Sequence, residues 1–143
     1  MTCADSSFLL SLEGNDTNSL AATTHALGLK EPITISALGR LEAENATRLL
    51  SFRRVITAAS ASALLANFSA DESAGLIVES SCSWPAVFRT ARRISRTRTE
   101  SEGYRLTDIV LVAVAIELRA DQFLSLDERQ RKLAAAEGLK VGP

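Results

Sequence analysis

The stretch Leu106–Ala120 constrains this chain more than any other. It reads LTDIVLVAVAIELRA, and after Asp108 it is apolar on nearly every side. A helix without a polar face has to be enclosed, by protein or by lipid. Its unbroken apolar run, Ile109–Ile116, is far shorter than the roughly 18–20 residues that cross a bilayer. The segment is therefore expected to be the central helix of a soluble domain, with no membrane contact. At 143 residues, 46% hydrophobic and 23% charged, the chain is long enough to enclose it within a single domain, 1–143. That apolar fraction excludes a disordered chain. A net charge of −1 excludes a uniformly basic nucleic-acid clamp.

What surrounds the apolar helix follows from shorter signals. Runs bounded by turn residues predict strands at Thr2–Asp5, Pro32–Ser36 (PITIS), Leu76–Glu79 (LIVE), Gln122–Leu126 and Leu139–Val141. Helical spacing predicts helices at Ser6–Glu13, Ser19–Leu27, Ala37–Arg54, Thr57–Phe68, Trp84–Ser95 and Glu128–Glu137. The segments Gly14–Asn18, Ser69–Gly75 and Thr97–Gly103 read as turns or loops. Strands alternating with helices predict an α/β three-layer sandwich. Its central sheet should be mostly parallel, with four to five short strands and helices on both faces. Cys3 and Cys82 show no metal-ligand spacing and read as reduced thiols. With no secretory signal ahead of Asp5, a cytoplasmic protein is expected.

Four acids occupy informative places. Asp5 and Asp127 each follow a predicted strand and begin a helix. Asp108 lies in the first turn of the apolar helix, and Glu42 in the second turn of Ala37–Arg54. Each alone has an ordinary explanation. An aspartate at a helix start accepts backbone N–H groups and contributes roughly 0.5–2 kcal/mol, and Glu42 alone would be a surface residue. Together they read differently, because the carboxyl ends of parallel strands share one edge, where ligands bind. Carboxylates packed together need a cation or a proton between them. Oxygen-only ligands favour Mg²⁺ or Mn²⁺ over zinc, which suits phosphoryl-transfer chemistry.

Competing chemistries lack their residues. The one histidine, His25, sits in the polar sequence TTHAL and reads as a surface residue, so no Ser-His or Cys-His pair suggests itself. Neither G-x-G-x-x-G nor a P-loop is present. Of the 16 basic residues only Lys30, Lys132 and Lys140 are lysine, and five arginines crowd into Arg89–Arg98. That strip reads either as a solvated helix face or as a contact for phosphate or an acidic partner.

These residues resemble a PIN-domain ribonuclease, most closely the VapC-like toxins of type II toxin–antitoxin pairs. The strongest part is Arg105–Val141, which follows the family pattern D-x-x-h-v-A-x-A, a strand, T/S-x-D-x-R-Q, a helix and G-L-K/x-V. The segment ADSSFLLSL is similar to the family's first strand, aspartate and helix. ITISALGRLEAENATR matches its Ser-x6-Glu-type segment, with Ser36 six residues before Glu42.

The resemblance implies Asp5, Glu42, Asp108 and Asp127 as the catalytic, metal-holding acids, with Glu44 a weaker candidate for the second. It implies Mg²⁺ as cofactor, replaceable by Mn²⁺; substrate contacts are expected at Ser6 and Ser125 and, from the arginine strip, at Arg96 and Arg98. It further implies an RNA substrate, a homodimer and a small cognate antitoxin. The chain departs from close relatives at Leu111 and Arg98, where histidine is common. Two alternatives stand beside the toxin reading: a PIN-type RNA-processing nuclease without an antitoxin, and a weakly active RNA- or protein-binding scaffold.

Overall fold

A computed structural model describes residues 1–143. Its centre is the five-stranded, all-parallel sheet β3-β2-β1-β4-β5. The strands are β1 (Thr2–Ala4), β2 (Ile33–Ile35), β3 (Ile77–Glu79), β4 (Gln122–Leu124) and β5 (Lys140–Gly142). Between β1 and β2 run α1 (Ser6–Glu13) and α2 (Ser19–Leu27). Between β2 and β3 run α3 (Ala37–Phe52) and α4 (Ala58–Ser73). The longest crossover carries α5 (Trp84–Ile94), a π-helical segment Ser95–Thr99, the short turn α6 (Glu100–Glu102) and α7 (Leu106–Glu117). A last helix, α8 (Glu128–Ala136), joins β4 to β5. The predicted α/β sandwich is the observed one.

Side chains alternate across the sheet as extended backbone requires. Cys3 and Phe123 join the core formed by α5, α7 and α8, whereas Ala4 and Leu124 join the core formed with α1, α3 and α4. In α7 every residue from Ile109 to Ala115 is buried, so protein encloses the apolar helix on all sides. No helix is long and apolar enough to cross a membrane.

Three expectations need correction. The helix expected to stop at Phe68 continues to Ser73. Its polar last turns are held by Arg40, which pairs with Glu72 and lies 5.4 Å from the centre of the Phe68 ring. Gly75, at φ 73°, then provides the left-handed exit. The segment Thr97–Gly103, expected to be a loop, is largely helical. Arg98 fastens it by pairing with Glu102 one turn on and with Glu137, which caps the end of α8, and Gly103 ends it at φ 69°. His25 is half-buried, edge-on to Phe8 and 3.2 Å from the Gln122 amide, so it packs over β4.

Candidate active site

The sheet order creates the site. The chain builds outward from β1 through β2 to β3, then returns to the other side of β1 for β4 and β5. The switch point therefore lies between β1 and β4, whose carboxyl ends open into a crevice suited to a ligand. Asp5 leaves β1 there, and Ser125 and Asp127 leave β4.

Asp5 is the anchor. It is 1% exposed and caps α1, its Oδ1 accepting from the Phe8 amide at 3.0 Å. The Ser7 hydroxyl donates to the same oxygen at 2.7 Å, and the Ser125 hydroxyl donates to Oδ2 at 2.6 Å. These hydroxyls also organise the other wall. Ser7 Oγ accepts the amide of Leu126 at 2.8 Å, and Ser125 Oγ accepts that of Asp127 at 3.0 Å. Asp127 in turn caps α8 through the Arg129 and Gln130 amides. Ser7 was not among the sequence candidates. A signal for it existed, since Asp5-Ser6-Ser7 after β1 and Ser125-Leu126-Asp127 after β4 run in mirror order, acid-x-Ser and Ser-x-acid.

The remaining acids come from the other side. Glu42 of α3 is half-buried, and its Oε2 is buried without any hydrogen-bond partner. Asp108 of α7 is half-buried and accepts the Arg105 amide at 3.3 Å, a weak cap. Burial is the main force raising the pKa of Asp5; the Ser125, Phe8 and Ser7 hydrogen bonds lower it, and the Asp127 charge raises it further. Glu42 is likewise raised, first by burial and then by Asp5 and Asp108, with Ser6 partly offsetting them. The four acids thus form one electrostatic series, Asp127–Asp5–Glu42–Asp108. As disposed, no three His, Cys, Asp or Glu side chains are drawn close enough to hold one ion.

The chemistry of the set nevertheless fits a hard divalent cation. The donors are oxygens only, their charges oppose one another, and Glu42 Oε2 is a buried acceptor with nothing to accept. Glu44 does not join them, because it pairs with Arg40 and Arg48 along α3. Leu111 is buried against the start of α3 near Gly39, so it fills space in the wall without offering a polar group.

Among the expected substrate contacts, Ser6 faces Glu42, and Ser125 holds Asp5. Arg98 already has partners within the fold. Its guanidinium is engaged by Glu137 at 2.7 Å, the Ala136 carbonyl at 2.8 Å and Glu102 at 3.3 Å, so its task is to bind the helical corner to α8. Arg93 shares Glu137 at 2.7 Å. Arg96 is exposed and forms no such pair.

No protein-family model matches the sequence, and no curated protein does. Solved structures do match in shape. Mycobacterium tuberculosis VapC20, described as a sarcin–ricin loop cleaving toxin, superimposes with a TM-score of 0.72 at 18% identity, covering 100% of both chains. FitAcB from Neisseria gonorrhoeae gives 0.66 at 16% identity, covering 100% of this chain and 97% of that one. PAE2754 from Pyrobaculum aerophilum gives 0.62 at 18% identity, covering 98% and 87%. Backbone path and strand order, together with these full-length superpositions, give one conclusion: the chain has the PIN-domain fold.

Proposed function

We propose that the protein is a metal-dependent endoribonuclease and the toxin of a toxin–antitoxin pair. The observation that carries this reading is the acid series at the β1/β4 switch point, where burial and mutual repulsion raise Asp5 and Glu42 and leave Glu42 Oε2 unpartnered. Such a cluster is unfavourable alone and becomes favourable when a cation joins it. Full-length likeness to a structure described as a sarcin–ricin loop cleaving toxin supports a nucleic-acid-cleaving toxin, and we take RNA as the substrate.

Asp5 and Asp108 would hold Mg²⁺ or Mn²⁺ directly, and Glu42 and Asp127 would complete the set. When bound, the cation offsets charge on the phosphate oxygens and activates water for attack on phosphorus. The protein's share is positional. Ser7 and Ser125 fix Asp5 against the first residues after β4, and Ser6 faces Glu42 across the cleft. Hydrolysis joins the water oxygen to phosphorus and breaks the P–O bond to the leaving ribose oxygen. A homodimer, a small cognate antitoxin that covers the acidic crevice, and a cytoplasmic setting complete the proposal.

Incubating purified protein with total RNA, with and without Mn²⁺, tests it. Metal-dependent cleavage that is lost in Asp5→Asn supports the nuclease. Intact RNA under every condition, with no metal-induced stabilisation, leaves only the scaffold reading.

A further inference from the structure

Helix α8 starts on Asp127, and its first turn holds an arginine that reaches a second acid-bearing element. The Arg129 amide donates to Asp127 Oδ1 at 2.8 Å. From the same residue, guanidinium Nη2 donates to the Gly103 carbonyl at 2.8 Å and to the Glu102 carbonyl at 3.3 Å. Those carbonyls close α6 just before the chain enters α7. There the Arg105 amide donates to Asp108 Oδ2 at 3.3 Å. One side chain therefore joins the helix start that carries Asp127 to the one that carries Asp108, the two ends of the acid series.

Charge pairing does not account for this link. The Glu102 carboxylate is already taken by Arg98, Tyr104 and Lys132, and the Arg129 guanidinium goes to main-chain oxygens instead. It grips the joint itself, because Gly103 turns the chain toward α7 at φ 69°. Arg98 ties the same corner to Ala136 and Glu137 at the far end of α8, about 10 Å along the helix. Of the two attachments, Arg129 is the one beside the acids.

We infer that Arg129 is a positioning residue for the candidate metal site, setting the separation of Asp127 and Asp108 and so how tightly a divalent cation is held. The inference rests on the acid set of the nuclease reading and names a residue that tunes it. Carboxylates brought in by separate elements push those elements apart until a cation joins them. A guanidinium bonded to two carbonyls resists that spreading, as outer partners of metal ligands do.

Mn²⁺ binding to the full chain is measured without RNA, from the electron paramagnetic resonance signal of the free ion. Arg129→Met keeps the aliphatic length and removes the donors, and its Kd for Mn²⁺ should rise roughly 10–100-fold. Arg129→Lys, a point charge able to hold one carbonyl, should fall between. Arg93→Gln breaks only the bond to Glu137 at the far end of α8 and should bind Mn²⁺ like wild type. In cleavage assays the Mn²⁺ concentration for half-maximal activity should rise with Kd, while kcat at saturating Mn²⁺ and KM for RNA stay close to wild type. Wild-type Mn²⁺ affinity in folded Arg129→Met, or in Arg129→Lys should the first not fold, overturns the inference. An equal rise in Arg93→Gln does so too, since it reports general loosening. A raised KM for RNA at unchanged Mn²⁺ affinity also overturns it and makes Arg129 a phosphate contact. Wild type that binds Mn²⁺, with the expected loss at Arg129, yet cuts no RNA keeps the positioning role and removes the nuclease reading. Wild type that binds no Mn²⁺ removes both.

Discussion

The two ends of α1 each bear a carboxyl raised by burial, yet only one end gathers hydroxyl donors and further acids around it. At the N-terminus, Asp5 receives the Phe8 amide and the hydroxyls of Ser7 and Ser125, and it lies at the positive end of the helix dipole. At the C-terminus, Glu13 is pushed up to about 7, first by burial and then by Asp71 of α4. Its Oε1 is buried without a partner, and the adjoining helix end is negative. Asp5 is held in a fixed position by these donors, with acids from three other helices coupled to it directly or in series. Glu13 has one acidic neighbour and is relieved by a proton. A raised pKa by itself marks burial, and the convergence of donors and acids is what sets the candidate site apart from Glu13.

Neutralising Asp5 should break this contrast most sharply. Asp5→Asn keeps the shape and the cap to Phe8 but removes charge that a cation needs. Cleavage should fall by more than the roughly 10–100-fold typical of residues that only orient a ligand. The melting temperature should hold or rise, because repulsion within the series is relieved. A variant of full activity would remove Asp5 from the chemistry.

Asp108 tests the far end of the series. As a ligand it contributes to stabilisation by metal, which reaches about 2.7 kcal/mol at a hundredfold excess over Kd. Asp108→Asn should abolish cleavage and shrink the Mn²⁺-induced rise in Tm. Equal rises in both proteins would leave Asp108 as a helix cap alone, worth at most about 1–2 kcal/mol.

Ser7 sharpens the comparison, since the C-terminal end of α1 has no counterpart to it. Ser7→Ala strips a donor from Asp5 and an acceptor from the Leu126 amide. Activity should drop roughly 10–100-fold, and stability by about 1–3 kcal/mol for a polar group left unpaired. Loss of stability with unchanged turnover per folded molecule would make Ser7 purely structural.

The smallest effect is expected at Glu13. Its pKa in the folded protein lies above the ordinary 4.5, so the folded protein binds more protons than the unfolded chain between about pH 4.5 and 7. Stability from this group is complete below that window and is lost as pH rises through it. Glu13→Gln should raise Tm by a few degrees at pH 8, leave it unchanged at pH 4, and leave RNA cleavage intact. A pH-independent effect would mean that Glu13 does not titrate in that window.

Much of this was legible from sequence because the signals were local. The apolar composition of Ile109–Ala115 announces burial whatever lies around it. Asp5 sits one residue and Asp127 three residues after a strand, and both accept amides two or three residues ahead, so helix starts placed them correctly. Ser7 was missed because its role is defined by Leu126 and Asp127, 119 and 120 residues away. The partners of Arg98 were hidden for the same kind of reason. Its charge suited phosphate, but Glu137, 39 residues on, takes it first.

The sequence by itself determined the alternation of strands and helices, the buried α7 and the helix-start positions of Asp5, Asp108 and Asp127. Periodicity and capping act within a few residues, so they survive without knowledge of neighbours. Only the tertiary structure decided that β4 lies beside β1, that Ser125 reaches Asp5 across 120 residues, and that Glu42 Oε2 stays unpartnered. It also decided which arginines remain free: Glu137 folds back on Arg93 and Arg98, and Arg92 and Arg96 are left facing solvent. Those outcomes depend on which packed surfaces meet, and that is set by burying both faces of one sheet at once rather than by any segment's own preference.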